Sequence, residues 1–526
     1  MDFETELARF NPDPPLREWV FGTVEGLRGQ VQQESSETAR LSAQVTLLDR
    51  EIRQKDLKIQ ALTLELAYYR RIRFGRTSEQ LGVEQKALFE ETLDTDLCAL
   101  EAETEQLSSA PQRQTTSHPG RKPLPEHLPR IELRHEPESC ACGQCGKEMV
   151  KIGEDMTEQL DVEPSRFFVH RHIRPQYACR GCETVSAAPV PPAIIDGGLA
   201  SPGLLTWVAI SKFADHLPLY RLEQMAARQE VILSRSTLSE WVGRLGVALQ
   251  PLADRLAEKL RAQAILHADE TPVQQLDPGK GKTKRAYLWA WRSNDFSGGP
   301  PMVVFDYQTS RSGSHARTFL GGWKGHLMVD DYGGYKALFR EGVTELACLA
   351  HCRRKFFDLH AEHGSLIAGE ALQWIARLYA IEQEGHALDV AAREVLRREK
   401  SVPLLSQYHE WLMRTRQTVA QGSAIEKAID YTLKRWGALV RYARSGEYPI
   451  DNNPVENSIR PIAIGKKNWL YAGSERAGRR AAAIQSLIGT AKLNGLDPQA
   501  WLKDTLEKLP TWPYSRIDEL LPLKIV

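Results

Sequence analysis

Five short stretches between Ala264 and His351 constrain the fold most: AILHADET, AYLWAWRS, PMVVFDYQ, HLMVDDYGGY and ELACLAH. Each alternates apolar and other residues with period two, is rich in Val, Leu, Trp and Tyr, and is bounded by Gly or polar breaks. That pattern predicts strands. Helical patterning precedes them over 203–246. It returns from about Ser365 to Tyr442, with one break near Ser401 and Val402. Strands set between helical stretches make this part of the chain a mixture of strand and helix.

Two of the strands run straight into acids. Asp269 ends ILHA, and the tandem Asp330 and Asp331 end HLMV. A carboxylate at a strand's mouth can meet others from neighbouring strands. A third acid, Glu456, lies in DNNPVENSIRP, residues 451–461. Asn453, Pro454 and Glu456 have the spacing of a capping box, with Asn at the N-cap and Glu at N3. The same glutamate at a helix start can instead be a metal ligand, and the local sequence leaves both readings open. Two strand-end aspartates and one helical glutamate offer the hard oxygen donors that hold paired Mg²⁺ for phosphodiester chemistry.

The chain has 526 residues and 42% hydrophobic content, which suggests several globular domains. No run of 18 or more apolar residues reads as a membrane span. The start, MDFETELARF, lacks the basic-then-apolar pattern of a signal peptide, so a cytoplasmic location is expected. Net charge is zero, but it is segregated. Residues 77–107 carry nine acids and one base, whereas residues 434–492 carry eleven bases against four acids. A basic C-terminal half can attract phosphate.

From Leu41 the apolar residues Leu41, Val45, Leu48, Ile52, Ile59, Leu62 and Leu66 step by fours and threes, with Lys55 in the one polar seam position. This heptad predicts a coiled coil and hence a homo-oligomer. YYRRIRFGRTSEQ follows, with Arg70, Arg71, Arg73 and Arg76 around Phe74, a candidate contact to a nucleic-acid backbone. Residues 106–130 are rich in Pro, Ser and Thr and read as a linker. Beyond it, Cys142-x2-Cys145 and Cys179-x2-Cys182 form two knuckles suited to one tetrahedral structural Zn²⁺. Cys140 is surplus and is an alternative ligand to Cys142.

MAARQEVILSRSTLSEWVGRL reads as a helix, a break and a second helix opening at Ser234 or Ser236. A helix-turn-helix there offers Arg235, Ser236, Thr237 and Ser239 to DNA. GKGKT at 279–283 ends like a phosphate-binding loop, but Leu276 stands where the required glycine belongs and the segment lies between strands. It is rejected.

Taken together, these residues resemble the large transposase of the insertion-sequence-sixty-six family, a DDE (Asp–Asp–Glu) transposase. The resemblance runs through FGRTSEQL, the C-x2-C pairs, SKFADHLPLYRLEQMAARQEVILSRSTLSEWV, HADETPVQQLDPGKGKTK, VDDYGGY, AHCRRKFFD and DNNPVENSIRP. It implies an RNase H-like catalytic core whose acids are Asp269, Asp330 and Glu456. Asp331 stands where the family usually has Gly. It also implies a helical insertion between Asp330 and Glu456, and companion proteins encoded by the same element.

The expected organisation is a coiled coil and basic helix end (1–105), a linker (106–134), a zinc-binding module (135–190) and a helix-turn-helix-like region (191–260). An RNase H-like core (261–480) with an all-α insertion at about 360–445 follows, then a C-terminal helical region (481–526). The expected activity is Mg²⁺- or Mn²⁺-dependent cleavage at the element ends followed by strand transfer, with two ions per site. His267, Asn453, Arg460, Lys466 and Lys467 are expected as supporting or phosphate-contacting residues. The rival readings are a DNA-binding regulator without catalysis and a metal-dependent nuclease without strand transfer.

Overall fold

The computed structural model describes residues 13–74, 100, 103–104, 124, 126, 128–136, 147, 149–163, 166–277 and 282–524. The chain divides into two compact units: residues 1–65 with 103–114, and residues 66–102 with 115–526.

Helix α1 (Pro14–Phe74) has 61 residues and carries the heptad. Its seam residues Leu41, Val45, Leu48, Ile52, Ile59 and Leu62 are each about half exposed, between 49% and 60%. Lys55 in the seam pairs with Glu51 at 3.0 Å. Leu57, outside the seam, is buried.

The next region is a four-stranded sheet. Strand β1 (Arg130–Arg134) runs parallel to β3 (Arg166–Ala178), which pairs antiparallel with β2 (Val150–Glu163) and β4 (Val185–Ala187). β1 lies inside the segment expected to be linker, whose Pro- and Ser-rich character ends before it. The helices α2 (Pro202–Phe213), α3 (Leu219–Ala227) and α4 (Arg235–Arg261) follow. Ser234 caps α4, its Oγ accepting the Thr237 N–H at 3.1 Å.

The central sheet has five strands: β5 (Ile265–Asp277), β6 (Lys282–Ser293), β7 (Val303–Gln308), β8 (His326–Val329) and β9 (Thr344–Ala347). Their order is β7-β6-β5-β8-β9. The pairs β5–β6 and β6–β7 are antiparallel, and β5–β8 and β8–β9 are parallel. A short helix, α5 (Gly313–Leu320), connects β7 to β8, and α6 (Lys336–Arg340) precedes β9. Alternation assigns each residue a face. Leu266, Ala268, Trp289, Trp291, Leu327 and Val329 pack on one side, in a core shared with α4.

After β9 the chain leaves the sheet as a helical layer with a core of its own around Phe356, Ile375, Leu378, Tyr408 and Leu412. Its main helices are α7 (Leu349–His363), α8 (Leu366–Gly385), α9 (Val390–Leu396), α10 (Val402–Thr418) and α11 (Ala424–Lys434). The layer opens at Leu349, earlier than about 360, because the strand ends at Ala347 and LAH starts a helix. The break near Ser401 is a π-helical turn, Arg397–Ser401. Arg397 there is fully buried and grips Glu382 (2.6 Å) and the carbonyls of Tyr442 (3.0 Å) and Tyr448 (2.9 Å). Arg393 adds a bond to the Gly446 carbonyl at 2.8 Å. These buried guanidinium groups fix the return segment 445–450.

That segment delivers α12 (Asn453–Trp469), whose Val455, Ile459 and Ile462 seal the second face of the sheet against Val273, Ala286, Leu288, Ala290 and Phe305. α13 (Glu475–Leu493) then packs on β7 and α4, so a boundary at 481 falls inside a helix. Ser486 and Thr490 of α13 accept the Phe305 and Val303 N–H groups at 2.7 and 3.1 Å. The edge strand β7 thereby loses the unpaired backbone that would invite another strand. α14 (Pro498–Lys508) is the last α-helix among the described residues, and two 3-10 turns, Leu509–Thr511 and Tyr514–Leu520, follow it.

Candidate active site and metal-ligand clusters

The sheet register builds the site. Ile265 lies opposite His326 and His267 opposite Met328 in the parallel pair β5–β8. Continued two residues, that register sets Asp330, the first residue past β8, beside Asp269. Alternation turns Asp269 and Asp330 to the face covered by α12. Glu456 sits in the first turn of α12, next to the buried Val455.

Asp269 senses the other two acids. Burial pushes the Asp269 carboxyl up to about 8, and the charges of Glu270, Asp330 and Glu456 push the same way. The Glu270 N–H opposes this by donating to Asp269 Oδ1 at 2.8 Å. Asp330 Oδ1 accepts the Tyr332 N–H at 2.8 Å. A half-buried pocket of acids that repel one another is a site that a cation relieves.

Asp331 points elsewhere. Its Oδ1 lies 3.7 Å from Nε of the buried Arg435, whose Nη2 also donates to Glu345 (2.6 Å) and to the Asp330 carbonyl (2.9 Å). Arg435 thus braces the tandem acids from the helical layer.

Glu456 is not in a capping box. The residue preceding α12 is Asn452, which makes no side-chain cap bond. Asp451 Oδ1 accepts the Asn453 N–H at 3.0 Å instead. Glu456 lies one position beyond N3, and the Asn452 N–H that a box would engage donates to Cys348 Sγ at 3.1 Å. The glutamate is left facing His351 Nδ1 at 3.6 Å and Arg354 Nη2 at 3.9 Å.

Two further residues carry the acids without belonging to them. Asn452 is fully buried; its amide donates to the Ala268 carbonyl (2.8 Å) and its Oδ1 lies 3.0 Å from His267 Nδ1. Burial depresses the His267 imidazole to about 4. Glu270, on the opposite face from Asp269, is clasped by Arg311 (2.7 Å) and Tyr335 OH (2.7 Å). The strand period could have separated Glu270 from Asp269. Asn452, Arg435, Cys348 and His351 depend on long-range packing; Asn452 and His351 lie in stretches that carry the resemblance, DNNPVENSIRP and AHCRRKFFD, but neither sequence pattern gives them a role.

The basic residues separate into two groups. Lys466 is spent on the sheet, with Nζ 3.0 Å from the Pro272 carbonyl. Arg460 and Lys467 are exposed, at four and eleven positions past Glu456 and therefore on its face of α12. At the start of α4, Ser236 is exposed, Thr237 is half-buried, and Arg235 pairs with Glu223 at 3.1 Å. Ser239 is fully buried, because α4 turns that side into the core, so it cannot contact DNA as expected. Arg70, Arg71 and Arg73 fall in the last turns of α1, and Arg76 lies outside the described residues.

In the zinc region, Cys179 is buried and Cys182 half-buried at the two ends of a tight turn. The turn closes through Cys179 N–H to the Thr184 carbonyl and Glu183 N–H to the Cys179 carbonyl, both 2.9 Å. Cys140, Cys142 and Cys145 lie outside the described residues.

These parts make a multidomain protein with a zinc-finger region, a helical N-terminal region and a mixed α/β core. Residues 197–480 match the transposase IS66 family and residues 486–523 the IS66 C-terminal element. Residues 139–183 match the zinc-finger binding domain of transposase IS66, and residues 61–133 match the segment described as transposase C of IS166 homeodomain. The chain belongs to the IS66 transposase family. Among similar proteins is y4qI of Sinorhizobium fredii, 38% identical over 508 residues, covering 92% of each chain. Another is y4jD of the same organism, 37% identical over 503 residues, covering 90% of this chain and 96% of its own. YjgZ of Escherichia coli is 59% identical over 84 residues, covering 14% of this chain and 75% of its own. The zinc-finger match supports structural zinc, and the family implies a divalent metal in the core. No helix among the described residues is long and apolar enough to cross a membrane.

Proposed function

We propose that the protein is a DNA transposase that binds the ends of its element and carries out strand cleavage and strand transfer at Asp269, Asp330 and Glu456. The observation that carries this reading is the meeting of Asp269 and Asp330 on one face of the sheet, under the helix that holds Glu456. The sheet order, antiparallel through β7-β6-β5 and parallel through β5-β8-β9, supports an RNase H-like core interrupted after β9 by an all-α insertion.

The residues suit a pair of divalent ions: the charges of Asp330 and Glu456 both act on Asp269, and the buried Glu456 Oε1 lacks a hydrogen-bond partner. Asp269, Asp330 and Glu456 would hold Mg²⁺ or Mn²⁺, which supplies activation of an attacking oxygen and neutralisation of the leaving one. Asp269 and Asp330 are held by the backbone N–H groups of Glu270 and Tyr332, which fixes the direction of their free oxygens. Arg460 and Lys467, on the Glu456 face, are suited to the phosphates flanking the scissile bond. Arg235, Ser236 and Thr237 at the start of α4, with Arg70, Arg71, Arg73 and Arg76, are suited to the element ends.

Zinc held by Cys142, Cys145, Cys179 and Cys182 would brace the end-binding module. The half-exposed seam of α1 supports pairing of protomers through a coiled coil, and companion proteins of the same element are expected partners. The test is cleavage and joining of labelled element-end DNA by purified protein with Mg²⁺. Asp269→Asn and Asp330→Asn should each abolish both steps, and the double variant should lose no more than either. Full activity in either single variant contradicts the assignment.

A further inference from the structure

Beside the aspartate pair lies a second set of ligand atoms. Cys348 immediately precedes α7, and His351 stands three positions later in its first turn, so both side chains gather at the helix start. Glu456 reaches them from α12. A sulfur, an imidazole nitrogen and a carboxylate oxygen from these residues all lie within 4.8 Å of one another.

Two features of this cluster are unexplained by packing alone. His351 Nδ1 and Glu456 Oε1 face each other at 3.6 Å, beyond hydrogen-bond length, and each is buried without a hydrogen-bond partner. Two such atoms across a gap are unfavourable unless something sits between them. The Cys348 sulfur, in turn, receives the backbone N–H groups of Asn452, at 3.1 Å, and of His351. Burial resists the thiolate, whereas N–H groups aimed at sulfur favour it, as they do around metal-bound cysteines.

We propose that Cys348, His351 and Glu456 form a site for a borderline-soft divalent cation of the Zn²⁺ class, sharing Glu456 with the Asp269–Asp330 pair. Thiolate, imidazole and one carboxylate suit Zn²⁺ or Co²⁺ and are poor ligands for Mg²⁺. Three protein ligands leave a fourth position open. As the sulfur–metal bond forms, the Cys348 S–H bond breaks and its proton leaves to solvent. A cation held there engages Glu456, so Zn²⁺ opposes Mg²⁺-supported cleavage; that consequence rests on the proposed Asp–Asp–Glu chemistry, whereas the binding does not.

The test is titration of full-length protein, purified with its zinc module filled, with Co²⁺ alone. A sulfur-to-cobalt charge-transfer band should grow to one further Co²⁺ per chain. The band should vanish in Cys348→Ser, and Co²⁺ affinity should weaken about tenfold or more in His351→Ala, which keeps the sulfur. No band in the wild-type protein, or an undiminished band in Cys348→Ser, overturns the site. Absence of the band while Glu456→Gln still abolishes Mg²⁺-supported cleavage removes this site and leaves the transposase reading standing. A band that depends on Cys348 in a protein whose cleavage ignores Glu456 does the reverse.

Discussion

Asn452 and His267, 185 positions apart in the chain, share a buried 3.0 Å hydrogen bond that fastens the start of α12 to the strand carrying Asp269. The other arm of the amide donates to the Ala268 carbonyl, so Oδ1 must be the acceptor and His267 Nδ1 the donor. Glu456 therefore sits on a helix that is pinned at the residue preceding it.

Asn452→Ala removes both bonds and leaves the His267 N–H buried without a partner. A loss of about 2–3 kcal/mol is expected, read as a lower melting temperature. Asn452→Asp should destabilise more, since it buries a charge against a carbonyl. Cleavage should fall in both variants while binding to end DNA persists. A wild-type melting curve for Asn452→Ala contradicts the pin.

The burial of His267 predicts a pH dependence, which the Asn452 bond only partly offsets. His267 is fully buried and depressed to about 4 from an ordinary 6.5. Between these values the unfolded chain binds a proton that the folded protein refuses, so stability rises with pH. This contribution is complete above about 6.5 and is lost as pH falls towards 4. The full shift corresponds to about 3 kcal/mol. His267→Gln should flatten that limb of a melting-temperature profile. An equally steep limb in the variant assigns the acid sensitivity to other groups.

Much of the site was legible in local pattern. Strands running into acids marked Asp269 and Asp330, because apolar alternation fixes both the strand and its end. Within the tandem pair the resemblance points to Asp330; the physical distinction from Asp331 comes from the parallel register with β5, which joins residues far apart in the chain. The reading of Asn453 and Glu456 as a capping box failed because Asp451 supplies the cap oxygen and Cys348 takes the Asn452 N–H. Ser239 was misplaced because a motif shows a helix start but not which side faces the core; α4 is buried along most of its length. β1 falls at the end of the segment read as linker, past its Pro-rich part, and is held by pairing with β3.

Asp330 and Asp331 should separate by function. Asp330→Asn should abolish cleavage and weaken Mn²⁺ binding. Asp331→Asn releases one partner of Arg435, which keeps Glu345 and the Asp330 carbonyl, so a stability loss of at most about 1 kcal/mol is expected. Metal titration and melting of both variants decide it; equal loss of cleavage in Asp331→Asn contradicts the assignment.

The seam of α1 should pair protomers. Leu48→Glu combined with Ile52→Glu places charge where a coiled coil needs apolar contact. Light scattering should show a smaller assembly while helical content in the rest of the protein is unchanged. An unaltered assembly would locate the protomer contact elsewhere.

Glu456→Gln tests the central claim most directly. Glutamine keeps the size and hydrogen-bonding capacity of the side chain and removes its charge. The measurement is cleavage and joining of labelled element-end DNA with Mg²⁺, alongside end binding and a melting curve. A ligand that loses its charge forfeits several kcal/mol of transition-state stabilisation, about a hundredfold or more in rate. The predicted result is that loss with fold and end binding intact; cleavage at a near wild-type rate would contradict the account.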